Sequence, residues 1–109
     1  MYIYNITINI DESAHKKWLS WIHTHIAEVM DTGRFLSAKF TEVLVEEQLG
    51  GKTYSIQYTA NTSTDLDDFY QYDNARLQKK ALEKFGDKMV TFSTELKVIK
   101  EFFPTAIRN

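Results

Sequence analysis

The sequence predicts an α+β fold, one layer of sheet against one layer of helix, and three observations point to it. Four stretches alternate apolar and polar side chains at the period of a strand. Two stretches repeat apolar residues every three or four positions, as a helix with one buried face does. Their order is strand, helix, strand, strand, helix, strand, with Gly50-Gly51 marking a turn between the middle two strands. Right-handed crossovers that put both helices on one sheet face convert this order into a ferredoxin-like βαββαβ arrangement with a four-stranded antiparallel sheet. The 109 residues suffice for one such domain, residues 1–109, with one core.

Each element has its own signal. Residues 2–10 form the first strand, with Tyr4, Ile6, Ile8 and Ile10 on one side and Asn5, Thr7 and Asn9 on the other. Asp11 or Ser13 offers an N-cap, and Glu12 suits the positive end of a helix dipole. The stripe Ala14, Trp18, Ile22, Ile26 and Met30, widened by Val29, predicts a helix of about five turns. Gly33 supplies the left-handed stop. Residues 35–47 read as a second strand, with Leu36, Ala38, Phe40 and Leu44 on one side and Val43 and Val45 on the other. A bulge would explain that change of phase.

Residues 53–60 place Tyr54, Ile56, Tyr58 and Ala60 inward and Ser55, Gln57 and Thr59 outward. Asn61-Thr62-Ser63-Thr64 then breaks the strand and caps a second helix. Asp65, Asp67 and Asp68 crowd its first turn while Arg76, Lys79, Lys80 and Lys84 load later ones, the polarity a helix dipole favours. Its stripe is Leu66, Phe69, Tyr70, Leu77, Ala81 and Phe85, and Gly86 ends it. The last strand, residues 88–99, is expected to bury Val90, Phe92, Leu96 and Val98. A tail follows at 102–109, with Phe102, Phe103, Pro104 and Ile107.

Composition narrows the function. A chain 43% hydrophobic and 26% charged is that of a globular protein. The net charge of −2 offers no field for nucleic acid or an anionic membrane, so neither is an expected partner. Without cysteine there is no disulfide, zinc–thiolate site, iron–sulfur cluster or thiol nucleophile. The opening residues lack a basic n-region, and no apolar run nears the ~20 residues of a membrane span, so a cytoplasmic protein is expected. His23 and His25 stand two apart on different helix faces, which is wrong for shared metal ligation. There is no glycine-rich phosphate loop or nucleophile elbow, and no metal or cofactor is expected.

The outer sheet face is expected to carry Asn5, Thr7, Asn9, Ser55, Gln57, Thr59, Thr91, Ser93 and Glu95. So many Ser, Thr, Asn and Gln side chains suit a partly enclosed, hydrogen-bonded surface better than an open one. A homodimer that joins two such faces follows, with Asn5, Thr7, Asn9, Gln57, Thr59 and Ser93 at the interface. The generous aromatic content, seven Phe, six Tyr and two Trp, agrees with a thick core or a buried oligomer face.

Candidate site residues lie on the other face. His25 falls at the edge of the helix–sheet seam, where it can donate or accept a proton with Tyr54 and Tyr58 as partners. The plainer account is a packing histidine bonded to a backbone carbonyl. Tyr4, Tyr54, Tyr58 and Tyr70 project between sheet and helices, where with Trp18 or Trp21 they can line a small-molecule pocket or simply fill the core. Asp73 sits on the second helical stripe, either near that pocket or bound to Arg76 or a tyrosine. Asp11 and His15 stand one turn apart, and capping accounts for Asp11.

The stretches 3–13, 18–21, 25–35, 51–59 and 85–92 together resemble a small bacterial family of the Bacteroidetes, a domain of unknown function (number 4286). The resemblance covers nearly the whole chain and implies no activity. The family's pattern has a proline after its His-Ile pair, where this chain has Ala27, so a straighter helix is expected. More distantly, a tryptophan and histidine on the first helix, before a glycine and a long strand, are similar to the dimeric α+β barrel superfamily. That superfamily includes cofactor-free monooxygenases, isomerases and haem-degrading enzymes. The expected function is a dimeric small-ligand-binding or regulatory module. The alternative is a cofactor-independent monooxygenase or isomerase that uses His25 with Tyr54 or Tyr58.

Overall fold

The computed structural model describes residues 1–45 and 50–105. Strands β1 (Tyr2–Ile10), β2 (Ser37–Glu42), β3 (Lys52–Ala60) and β4 (Met89–Lys97) form one antiparallel sheet in the order β2-β3-β1-β4. Helix α1 (His15–Asp31) connects β1 to β2. The second helix connects β3 to β4 in three continuous parts: α2 (Ser63–Phe69), a π-helical turn (Tyr70–Asn74) and α3 (Ala75–Phe85). This is the ferredoxin-like βαββαβ arrangement. Among the described residues no helix is long and apolar enough to cross a membrane.

Local chemistry sets the boundaries. The Asp11 carboxylate accepts from the Ser13 amide at 2.9 Å and caps a short 3-10 turn, Glu12–Ala14, that leads into α1. The Thr62 hydroxyl accepts from the Asp65 amide at 3.1 Å and starts α2. Gly33 and Gly86 leave their helices at positive φ, a conformation that costs glycine little. Through Ala27, α1 continues without a break.

One core joins the layers. Tyr4, Ile8, Ile56 and Tyr58 from the sheet meet Trp18, Ile22 and Val29 of α1 and Leu66, Phe69, Leu77 and Phe85 of the second helix. Tyr4 is ringed by Tyr58 at 5.9 Å, Phe69 at 5.7 Å and Tyr70 at 5.5 Å between centroids. Such pairs add ~0.5–1.5 kcal/mol each beyond their area.

Two expectations need correction. In β4 the phase is inverted: Val90, Phe92 and Leu96 are exposed and Val98 only half-buried. Pairing with β1 sets this, because Ile8 stands opposite Thr91, Ile6 opposite Ser93 and Tyr4 opposite Glu95. Residues directly opposite share a face, so Thr91, Ser93 and Glu95 lie on the helix side, and Ser93 leaves the expected interface. Asn5, Thr7, Asn9, Ser55, Gln57 and Thr59 keep the outer face. They interlock there, Ser55 donating to Asn5 at 2.7 Å and Asn9 to Thr53 at 3.1 Å.

The second correction concerns β2, which is shorter than residues 35–47. Phe35 is buried ahead of it, while Leu36 and Leu44 are exposed. The expected end of this strand at Glu47 and the tail residue Ile107 lie outside the described residues.

Candidate functional site

A cavity lies between the helices and the sheet, and each wall follows from an element above. From α1 come Trp21, Ile22, His25 and Val29. The second helix contributes Phe69, Asn74, Leu77, Gln78 and Ala81, and the sheet contributes Tyr4, Ile6, Ile8, Ile56, Tyr58, Met89 and Thr91. The space open to the centre of a water molecule is about 40 Å³. That accommodates roughly three waters at the ~10–15 Å³ each needs. The walls are mostly apolar, with His25, Tyr4, Tyr58, Asn74, Gln78 and Thr91 as polar points.

His25 is the one histidine in this wall. Its ring stacks on Trp21 at 4.5 Å, and its Nδ1 is buried with no hydrogen-bond partner among the described residues. Burial pushes its pKa down and nearby Lys80 adds to that, against the pull of Glu28. The ring is therefore neutral at pH 7, with one nitrogen able to accept a proton.

A stability consequence follows. The unfolded chain takes up this proton near 6.5, and the folded chain does so only at lower pH. Stability is therefore fully present above 6.5 and declines as pH falls through the depressed folded value. Replacing His25 with Asn should flatten that decline, as checked by urea midpoints between about pH 7 and pH 5.

The tyrosines divide between two places. Tyr4 and Tyr58 line the cavity, and burial raises the pKa of both, so each stays a protonated hydroxyl. Gln78 donates weakly to Tyr4 and to Asn74, each at 3.5 Å. Tyr54 lies elsewhere: its hydroxyl is 2.7 Å from His15 Nε2, and its ring packs on Trp18 at 5.0 Å and Phe40 at 5.2 Å. Tyr54 is thus partnered with His15, away from the cavity that His25 lines. Trp18 stays in the core, and Trp21 forms the cavity wall.

Tyr70 packs edge-on against Tyr4 just outside the cavity, and burial together with the nearby Glu95 raises the pKa of its hydroxyl. Asp73 is held by Arg34 at 3.0 Å and Arg76 at 3.5 Å, and Arg34 also reaches Asp68 at 3.7 Å. These pairs fasten the chain after α1 to the π-turn.

Asn74, Gln78 and Thr91 escape sequence reasoning. Gln78 follows a stripe residue, Leu77, and stands four after Asn74, so a wider stripe would have included both. The π-turn leaves no sequence mark of its own. Such turns are frequent at functional sites, and this one brings Asn74 to the cavity. His15 was also legible, being three residues before Trp18 on the same face. Among the described residues no group of three His, Cys, Asp or Glu is placed to hold a metal.

The family model described as Domain of unknown function (DUF4286) matches residues 1–99. The chain belongs to that family. No curated protein matches the DUF4286 chain in sequence. Among solved structures, it is similar to a dimeric ferredoxin-like protein from an uncultured marine organism, with a TM-score of 0.70 at 9% identity over 93% of this chain and 97% of that one. SnoaB, a cofactor-independent oxygenase from Streptomyces nogalater, gives 0.64 at 8% identity, covering 92% of this chain and 95% of that one. The hydroxynitrile lyase of Passiflora edulis gives 0.59 at 19% identity, covering 94% and 97%. At these identities the likeness is one of fold.

Proposed function

We propose that this DUF4286 chain is a homodimer that holds a small uncharged molecule in the cavity between helices and sheet. The observation that carries this reading is His25 Nδ1, buried without a partner among the described residues in a wall that is otherwise mostly apolar. A buried polar atom left unpaired costs about 1–3 kcal/mol, which a bound hydrogen-bonding group would relieve. Apart from His25, the wall carries no ionisable group but the two tyrosines, so it offers no counter-ion to a charged ligand. At rest the space suits a few heavy atoms; a larger ring requires half-buried Trp21 to turn outward.

The dimer is supported by the description of the marine protein as dimeric. It is supported also by the outer face, where Asn5, Thr7, Asn9, Gln57 and Thr59 form polar rows. Two such faces related by a two-fold axis present identical hydrogen-bonding groups to each other.

Ala81, buried in the cavity wall, supplies the test. Phenol serves as the probe, titrated while tryptophan emission is followed. The expected result is a saturable shift in the native chain that Ala81→Leu abolishes without lowering the unfolding midpoint. Equal response of the two proteins, or none from either, overturns the ligand reading.

A second reading has a specific observation behind it. His25 is neutral, as a general base must be, its Nδ1 has no partner among the described residues, and the fold is shared with a cofactor-independent oxygenase. Oxygen uptake with a hydroquinone probe, lost in His25→Ala and retained in Tyr54→Phe, would favour an enzyme over a binding module.

A further inference from the structure

Between residues 90 and 103 six large apolar side chains face water: Val90, Phe92, Leu96, Ile99, Phe102 and Phe103. They fall into two groups. Val90, Phe92 and Leu96 form a row along β4 on the outer sheet face, beside Ile3, which stands opposite Leu96. The rest sit on an arm that leaves the sheet. Pairing continues one residue past β4, where the Val98 amide donates to the Met1 carbonyl at 2.9 Å, and then stops. Beyond it Ile99, Phe102 and Phe103 are 84%, 82% and 75% exposed. The Cα radius of gyration is 15.8 Å, against the ~13 Å of a compact chain this size.

We infer that the arm at 98–105 crosses to a second copy of this chain and packs on the outer face of that copy's β4. This rests on the homodimer proposed above and assigns what its polar rows leave open. A two-fold axis supplies each row with the other copy's arm, so one interface covers both exposed groups twice. Size agrees: six phenylalanines at ~150 Å² each give ~900 Å², and the aliphatic side chains carry the total past the ~1,000 Å² of a stable interface. A different protein would have to match both the flat row and the arm. A second copy brings both already.

The absence of cysteine makes the test clean. Full-length Phe92→Cys and Phe103→Cys chains, distinguished by a tag, are co-expressed and mildly oxidised. A disulfide between the two kinds of chain is expected. In parallel, Phe102→Asp with Phe103→Asp should weaken dimerisation at least tenfold in sedimentation, with the helical signal unchanged. A native species of 12.8 kDa at micromolar concentration would overturn both the dimer and the arm. A dimer of normal strength in the double-Asp variant, with no mixed disulfide, would overturn the arm and leave the dimer standing. A Phe92→Cys, Phe103→Cys double variant that closes within one monomer would show the arm folding onto its own sheet, which also overturns the exchange.

Discussion

Replacing Trp18 with Ala is expected to cost about 3–5 kcal/mol, much of the ~5–15 kcal/mol that holds a domain together. Trp18 is fully buried, wedged against Tyr54 at 5.0 Å and Phe40 at 5.9 Å, and its removal leaves a void that α1 and β3 cannot close. The loss is moderated by one feature of the native site. The indole Nε1 is buried with no hydrogen-bond partner among the described residues, so the native chain already carries an unpaired donor. Trp18→Phe keeps a six-membered ring and removes that donor, so it leaves a smaller void and should cost less than Trp18→Ala. Trp21→Ala opens a half-buried wall and falls between the two. Urea midpoints of the three variants check the order. A Trp18→Ala chain as stable as Trp18→Phe would refute this account of the core.

The second large effect comes from one of two neighbouring glycines. Gly50 and Gly51 have nearly the same backbone, φ +82° and +83°, so an alanine at either incurs the ~1–2 kcal/mol of a left-handed conformation. Only Gly51 faces an obstacle. A Cβ there would stand 2.6 Å from the Ile10 carbonyl oxygen, at the end of β1, where Ile10 pairs with Lys52. A backbone oxygen cannot swing aside as a side chain does, and such overpacking adds ~1–3 kcal/mol. Gly51→Ala should therefore destabilise by about 2–5 kcal/mol and Gly50→Ala by about 1–2 kcal/mol. Thermal melts separate them at about 4 °C or more per kcal/mol for a domain this small. Equal melting points would mean that the β1 end moves freely.

How much of this was legible follows from what each signal encodes. The first helix was plain because Trp18, Ile22 and Ile26 recur at one helical face and Gly33 stops it. Strands β1 and β3 were plain because one face is aromatic and aliphatic and the other is Asn, Ser, Thr and Gln. β4 misled for the same reason the others did not. Its apolar residues alternate correctly but point to the outer face, and alternation alone cannot say which face is the inner one. The register with β1 decides that, and register is a property of two strands. β2 was overestimated because Leu44 and Val45 look like strand residues yet are exposed. At the site, His25 was visible as an edge position. Its separation from Tyr54 was not, because Tyr54, Ile56 and Tyr58 read as equivalent along a strand that spans two different environments. The π-turn was invisible, and with it the role of Asn74.

The central place of β1 has a consequence for how the molecule comes into being. It pairs on one side with β3 and on the other with β4, Tyr2 lying opposite both Ala60 and Lys97. During synthesis β1 thus has nothing to zip with until residues 52–60 have followed, and its second flank stays bare until residues 89–97 have. Pairings so distant along the chain form slowly, since each must first overcome the entropy of closing a wide loop. During that interval a stretch of alternating isoleucines is presented to its surroundings, and whatever shields it then governs the yield of native protein.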